Sequence, residues 1–384
     1  MSHIDPAGSL LPSNATALEC GIDLAGADLA ARIAPGVDAI PGWKLVNPQP
    51  ALAAWLVYEY GLGALSAFIP NVFDLLEEGI RWERLRGTHA GMAAGLGFVG
   101  YSADLVDPPA RRLAWADYRL TLDRVRDEEG DLARIAGIAR LSQPARSQFR
   151  RGVHGYDVAA AEASWTRLSD CMVGDDSGVH VEATDGLAGP KWSFGRAHEA
   201  EVTLSQAELE ALGIWIDDDG SGSLSWSDLP VAWSTVTNTW SELGSAGARV
   251  RQMAAALAAR GAYLGFYDTG GALIGARRCR CFAQVAPAGA AGLYGVLGHG
   301  WSPGATGEAL AAIALTGFGD GDGARAVEAA LLVAATPLDP ATPGKIWLGP
   351  GEIHTPHAPV GRTSVDIRFG KTVRERIGLL VRFT

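Results

Sequence analysis

The stretch "AYLGFYDTGGALIGARRCRCF" (residues 262–282) has the pattern of a β-hairpin. Two strand-like runs flank "DTGG" (268–271), where an aspartate and paired glycines favour a tight turn. From residue 262 to the end of the chain, short runs of this kind recur between Gly and Pro residues. We therefore predict a β-rich C-terminal domain, which we place at residues 246–384.

The first 114 residues are predicted to form a helical domain instead. Thr88 follows Gly87 and is a favourable N-cap for a short helix. Apolar residues recur at helical spacing in three segments, and we expect these stripes to pack in a core. The stripes are Leu18–Ile22–Leu29–Ile33, Leu52–Trp55–Leu56–Tyr60 and Val72–Leu76–Ile80.

The sequence between these two regions is mixed. Residues 115–200 combine alternating runs such as "WADYRLTLDRV" (115–125) with Gly and Pro, which predicts a mixed α/β middle domain. Residues 201–245 are predicted to be a connector. The predicted fold class is α+β and multidomain, with an N-terminal helical domain followed by β-rich domains and an EF-hand-like loop.

The connector contains "IDDDGSGSLSWSDL" (216–229), which matches the twelve-residue calcium loop of an EF-hand. Gly222 stands where such a loop turns sharply, and "LSQAELEALGIWI" (204–216) resembles an entering helix with Ser205 as its N-cap. Oxygen-bearing residues occupy ligand positions 1, 3, 5, 7 and 12. The candidate ligands of a structural Ca²⁺ ion are Asp217, Asp219, Ser221, Ser223 and Asp228.

Two features depart from a complete helix-loop-helix hand. Asp228 is one methylene shorter than the usual bidentate glutamate, and Pro230 opposes an exiting helix. A calcium sensor works by opening a paired hand, and the sequence has no second loop of this kind. The remaining alternatives are a structural calcium site and a solvated acidic turn.

Two segments carry candidate partner-binding residues. "RSQFRRGVHGYD" (146–157) concentrates arginine and tyrosine, which are favoured anchors at interfaces, although an internal salt-bridged loop is the alternative. A short repeat spaces three tryptophans seven residues apart, either against a partner or in the core. The candidates are Arg146, Arg150, Arg151, His154, Tyr156, Trp226, Trp233 and Trp240.

Other motifs argue against catalysis and nucleic-acid binding. The net charge of −11 argues against a nucleic-acid partner, and no apolar run is long enough to cross a bilayer. "GWSPG" (300–304) lacks the backbone N–H that a serine nucleophile needs after it, because Pro303 follows Ser302. Cys279 and Cys281 are expected to be buried thiols on one face of a strand. We predict no catalytic residue.

The N-terminal part resembles the tail protein I family of contractile-tailed phages, which are baseplate wedge proteins. The resemblance covers roughly residues 10–125. It is carried by "LLPSNATALE" (10–19), "NPQPALAAWLVYEYGLG" (47–63) and "RLRGTHAGMAAGLGFVGY" (84–101).

This resemblance implies a structural, non-enzymatic virion protein of the tail baseplate, assembled in the host cytoplasm. It implies a helical bundle that joins two copies of a larger wedge subunit, and C-terminal domains directed toward a tail fibre or a fibre adaptor. It implies neither a nucleic-acid nor a membrane partner. The alternatives are a tail-associated glycan hydrolase and a sugar-binding receptor module.

Overall fold

The structure is a computed structural model of the 384-residue chain. It describes residues 11–12, 14–26, 32–35, 50–106, 115–125, 128–158, 176–181, 189–217 and 247–384. The fold over these residues is mixed α+β, as predicted. Contacts divide the chain into two compact units, Met1–Tyr101 with Gly137–Ser147 and Ser102–Ala136 with Gln148–Thr384. The four predicted domain boundaries are finer than this division and stay a prediction.

The described part of the first unit is helical. Its α-helices are α1 (Ala53–Glu59), α2 (Val72–Leu85), α3 (His89–Phe98) and the end of α4 (Glu129–Ser142), with further helical turns over residues 17–26 and 32–35. Thr88 caps α3 as predicted, because its Oγ1 accepts a hydrogen bond from the Gly91 N–H at 3.1 Å. The buried side chains include Leu56, Leu62, Leu65, Leu75, Leu76, Trp82 and Leu96.

The prediction that all three helical stripes are core is wrong in part. Leu56 and Leu76 are buried, but Trp55 is 70% exposed. The reason is the rotation of about 100° between consecutive helical residues: α1 buries Ala53 and Leu56, so Trp55 projects from another side. Five other stripe residues are also exposed: Leu18, Ile22, Ile33, Leu52 and Val72. Leu29 lies outside the described residues.

The second unit is built on a large mixed sheet of 14 strands, beside a separate pair formed by β12 and β14. The strands are β1 (Ala103–Val106), β2 (Asp117–Leu122), β3 (Gln148–His154), β4 (Val179–His180), β5 (Lys191–Leu204), β6 (Ala262–Tyr267), β7 (Leu273–Pro287), β8 (Tyr294–Val296), β9 (His299–Pro303), β10 (Ala309–Leu315), β11 (Arg325–Val333), β12 (Thr336–Pro337), β13 (Trp347–Leu348), β14 (Ile353–His354), β15 (Val360–Arg368) and β16 (Val373–Phe383).

The order of the main path is β1-β2-β3-β5-β16-β10-β7-β6-β11-β15. Strands β2, β3, β5 and β16 run parallel to their neighbours in that group, whereas the path from β16 to β15 is antiparallel throughout. The sheet curls until β15 returns to β5: a methyl group at Gly361 would lie 3.3 Å from Leu204 and 3.4 Å from Val202.

The core of the second unit lies inside this curl. Alternate residues of the strands face it, as the two-residue repeat of a strand requires. Helices α5 (Gln206–Ala211) and α6 (Ala248–Ala258) contribute Leu209, Met253 and Leu257 to the same core. Strand residues in it include Val202, Leu264, Phe266, Leu310, Leu331, Ile377 and Leu379.

The predicted hairpin at 262–282 is confirmed. Strands β6 and β7 pair antiparallel, and the Asp268 carboxylate accepts hydrogen bonds from Gly270 N at 2.8 Å and Ala272 N at 2.9 Å in the turn. Gly271 takes a positive φ of 77°, which a residue with a side chain rarely adopts.

The two cysteines of β7 do not share a face. Strand β10 pairs Ile313 with Cys281 but Ala314 with Cys279, so the register shifts between them. Such a bulge inserts an extra residue and reverses the alternation. Cys279 packs against the core inside the curl, whereas Cys281 is buried in a separate cluster. The prediction that both cysteines lie on one face of the strand is therefore wrong, and Cys281 is buried whereas Cys279 is partly buried. Burial raises the pKa of the Cys279 thiol to about 12.

We predict that Phe266→Ala destabilises the protein by about 3–5 kcal/mol, because it leaves a cavity in the core. Phe266 is fully buried, and its ring lies 5.2 Å from that of Phe369 and 6.0 Å from that of Trp347. Urea unfolding measures the change. Phe73→Ala is the matched control, since Phe73 is 48% exposed on α2 and its loss leaves no cavity. Equal destabilisation by both variants would contradict the assigned core.

Candidate functional site

Most of the predicted connector site falls outside the described residues. Of the five predicted calcium ligands, the structure describes Asp217, which is exposed and accepts a hydrogen bond from Trp215 Nε1 at 2.8 Å. The others, Asp219, Ser221, Ser223 and Asp228, lie outside, as do Trp226, Trp233 and Trp240. Calcium binding and the role of the tryptophans therefore stay predictions.

The helix that was expected to enter this loop is shorter than predicted. Ser205 caps α5 in a complete capping box with Glu208, as expected. The helix nevertheless ends at Ala211, and Gly213 turns the chain with a φ of 65°. Ile214 and Ile216 are then buried in the core of the second unit. An EF-hand helix runs directly into its loop, so the prediction of an entering helix is wrong for residues 212–216.

A buried polar cluster forms around Asp157, in the second predicted segment. Arg151 of β3 is 4% exposed, and its guanidinium donates to both carboxylate oxygens of Asp157, at 2.6 and 3.0 Å. Asp157 Oδ1 also accepts hydrogen bonds from the hydroxyls of Ser177 (2.9 Å) and Ser193 (3.2 Å). These residues, with Asp176 at 3.9 Å from Arg151, are named the Asp157 cluster.

The electrostatics of this cluster keep the carboxylate charged. Burial raises the pKa of Asp157, but the Arg151 hydrogen bond and charge, together with the two serine hydroxyls, outweigh it and hold the pKa below its ordinary value. The cluster ties β3 to β5 and to the segment at 176–177. Its geometry is that of an internal salt-bridged loop, the alternative raised for this segment.

The structure contradicts the partner-binding prediction for Arg151 and leaves it untested for the other residues of this segment. Arg151 is buried and offers no surface to a partner, so its predicted role as an external anchor is wrong. Arg146 is exposed, and Arg150 lies 3.0 Å from Asp117. His154 Nδ1 lies 2.8 Å from the Leu122 carbonyl oxygen. Partner binding by Arg146, Arg150, His154 and Tyr156 stays a prediction.

A second charged cluster was not predicted. Glu375 of β16 is 1% exposed, with Arg196 Nε 2.9 Å from its Oε1 and His198 Nε2 2.9 Å from its Oε2. The parallel register of β5 and β16 places Glu375 directly opposite Arg196. Because the partners are about 180 residues apart and come from strands of different regions, no local pattern in the sequence indicates the pairing.

The structure places Ser302 of "GWSPG" inside strand β9 rather than on the strand-to-helix turn that a serine nucleophile requires. Over the described ranges, no three His, Cys, Asp or Glu side chains are grouped so that they could hold a metal ion.

An exposed aromatic face on α1 is the other candidate functional surface. Tyr58 is 84% exposed, and Trp55 lies three residues before it, on the same side of the helix. Leu52, three residues earlier again, is 36% exposed. We name Leu52, Trp55 and Tyr58 the α1 face. Large apolar side chains grouped on a surface mark sites of protein association.

The comparisons with known proteins leave the family open. No protein-family model matches the sequence, and the search of curated proteins finds no relative. In the described part of the chain, no helix is long and apolar enough to cross a membrane.

We predict that Asp157→Asn destabilises the protein by about 3–5 kcal/mol, because it leaves the buried Arg151 charge without its main partner. Chemical denaturation at neutral pH measures the change. Asp366→Asn is the control: Asp366 pairs with Arg325 at 2.8 Å on an exposed surface, and its loss is expected to have no measurable effect.

Wild type and Asp157→Asn, compared at several pH values, test the sign of the pH dependence of stability. Because the folded pKa of Asp157 lies below the unfolded value of 3.8, its stabilising contribution is present above that pH. It is lost as the pH falls through the folded pKa. The difference in unfolding free energy between wild type and Asp157→Asn should therefore shrink below pH 3.8. A difference that grows with acidification would contradict the assignment.

Proposed function

We propose that this chain is a structural component of the baseplate of a contractile phage tail, a wedge protein that links the inner baseplate to peripheral fibre-attachment parts. The observation that carries the proposal is the α1 face. Trp55 and Tyr58 lie inside "NPQPALAAWLVYEYGLG" (47–63), one of the segments on which the resemblance to tail protein I rests. The residues that carry the resemblance therefore include side chains suited to a permanent interface.

Energetics support a bound partner at this face. Full burial of a large apolar side chain stabilises an association by about 1.5–3 kcal/mol, and aromatic rings dominate interface energies. Trp and Tyr are also the residue types most enriched among interface anchors. We assign the α1 face to contact with the larger wedge subunit, of which the resemblance implies two copies.

The β-rich unit is assigned to the outer side of the assembly, toward a tail fibre or fibre adaptor. This assignment rests on the resemblance, which ends at about residue 125 and leaves the strands from β3 onward as the distal part. The proposed location is the tail baseplate of the virion, after assembly in the host cytoplasm.

We also propose a structural Ca²⁺ ion in the loop at 217–228, where it would stiffen the connector. Calcium titrated into chelator-washed protein should give saturable heat in a calorimeter. The triple substitution Asp217→Asn, Asp219→Asn and Asp228→Asn should abolish that heat. Asp339→Asn, an exposed aspartate outside the loop, is the control. Folded wild-type protein that gives no heat would remove calcium from the proposal.

We predict that the double substitution Trp55→Ser and Tyr58→Ser leaves the melting temperature of the isolated protein unchanged but removes the chain from purified tails. Both side chains are exposed, so their loss leaves no cavity in the free protein. Mass spectrometry of tails assembled with each variant measures incorporation. Trp115→Ser is the matched control, since Trp115 is also 70% exposed but lies in the second unit.

Two results would overturn the proposed function. One is the absence of the wild-type chain from finished tails. The other is a cleared band when the purified protein is tested by zymography on host envelope, which would favour the glycan hydrolase. Full incorporation of the double variant would reject the α1 face alone.

A further inference from the structure

Tyr156 and Arg374 are neighbours on one face of the sheet in the second unit. Gly195 of β5 lies opposite Arg374 of β16 in the parallel register. A methyl group at Gly195 would lie 2.6 Å from Cδ1 of the Tyr156 ring and 2.4 Å from the Tyr156 carbonyl oxygen. The ring therefore packs on the bare backbone of Gly195. Because adjacent strands are about 4.8 Å apart, this position is next to the Arg374 side chain.

The hydroxyl of Tyr156 is buried and has no hydrogen-bond partner among the residues that the structure describes. Burial raises the pKa of Tyr156 to about 12, so the phenol is neutral and able to donate a hydrogen bond at neutral pH. A buried hydroxyl without a partner costs about 1–3 kcal/mol, and native proteins rarely leave one unsatisfied. The unsatisfied hydroxyl therefore indicates that a group from outside the protein accepts its hydrogen bond.

The charges around the hydroxyl define the chemistry of that group. Arg374 Nε donates to the Thr316 carbonyl oxygen at 3.4 Å, and its guanidinium lies 5.2 Å from the centre of the Phe318 ring. Within the described residues, no carboxylate lies in ion-pair distance of Arg374. Among these residues, the guanidinium is held by the Thr316 carbonyl oxygen and the Phe318 ring, with no ion-pair partner.

Nearby charged residues add to the positive potential or are already neutralised. The Tyr156 hydroxyl is influenced by the positive charges of Arg374, Arg376 and Arg277 and by the negative charge of Glu375. Glu375 is bound by Arg196 and His198. The remaining pairs are Arg277 with Asp320 at 2.8 Å and Arg376 with Glu199 at 2.9 Å.

We propose that Tyr156 and Arg374 form a binding site for a small oxyanion, a phosphate or carboxylate group carried by a ligand. The phenol donates one hydrogen bond to the anion, and the guanidinium supplies charge-assisted donors beside it. The Phe318 ring restricts the orientation of the guanidinium. The site lies in the β-rich unit and does not depend on the proposed baseplate function.

Calorimetric titration of the full-length protein with inorganic phosphate, and separately with acetate, tests the site. We expect saturable binding of at least one anion, and the tighter anion identifies the ligand group as phosphate or carboxylate. Tyr156→Phe should weaken binding about tenfold, since a hydrogen bond to a charged group contributes at least that factor. Arg374→Gln should weaken it further. Arg325→Gln, an exposed arginine on β11, should leave it unchanged.

A second measurement separates a ligand site from a structural role of the hydroxyl. Without anion, Tyr156→Phe should melt at or above the temperature of wild type, because it removes an unsatisfied polar group and keeps the ring. A lower melting temperature would show that the hydroxyl has a partner inside the protein and would overturn the proposal. So would the absence of saturable binding of both anions to wild type, or an affinity that neither substitution changes.

Discussion

The parallel pairing of β5 with β16 is the interaction on which the second unit depends. The ladder runs without a break from Phe194 opposite Val373 to Leu204 opposite Phe383. It joins the parallel strands β2 and β3 to the antiparallel strands from β10 to β15. A parallel pair cannot be joined by a tight turn, so everything between the two strands, including both core helices and the hairpin at 262–282, belongs to one long crossover.

The register of this ladder is set by both its apolar and its charged side chains. Ile377, Leu379 and Val381 face the core, and a slip of one residue would turn each of them to the opposite face. The same register brings Arg196 opposite the buried Glu375. A carboxylate taken out of water without a cation is strongly destabilising, so misaligned strands would lose both apolar burial and this pair.

The sequence predicted those parts of the fold that depend on neighbours in the chain. The N-caps Thr88 and Ser205 and the turn at Asp268 need only residues within four positions, and all three are confirmed. The predictions that failed concern residues whose environment is set by partners distant in the sequence. Arg151 reads as a surface anchor until Asp157, Ser177 and Ser193 surround it.

Missing information on tertiary partners also explains the wrong predictions for Trp55 and for the two cysteines of β7. Trp55 has the spacing of a core residue, but the small unit around α1 provides a surface for Leu56 and none for the indole. Cys279 and Cys281 alternate in the sequence, but a bulge that depends on pairing with β10 separates them. The proposed oxyanion site was also not predicted, because Gly195, on which the Tyr156 ring packs, lies opposite Arg374 only through the pairing of β5 with β16.

Among the described residues of the second unit, the surroundings of Asp157 and Glu208 do not fit the proton donor of a glycan hydrolase. A glycosidase needs one carboxyl group that stays protonated near neutral pH, and environments that raise its pKa supply it. Here the surroundings act in the opposite direction. Burial would raise the pKa values of Asp157 and Glu208, but hydrogen bonds from Arg151 and the serines to Asp157, and from Ser205 and Gly361 to Glu208, lower both instead. Glu375 has Arg196 on one oxygen and His198 on the other. The contacts of these carboxylates hold strands and a helix end together, and those that lower the pKa values of Asp157 and Glu208 leave these two groups poorly suited to donate a proton.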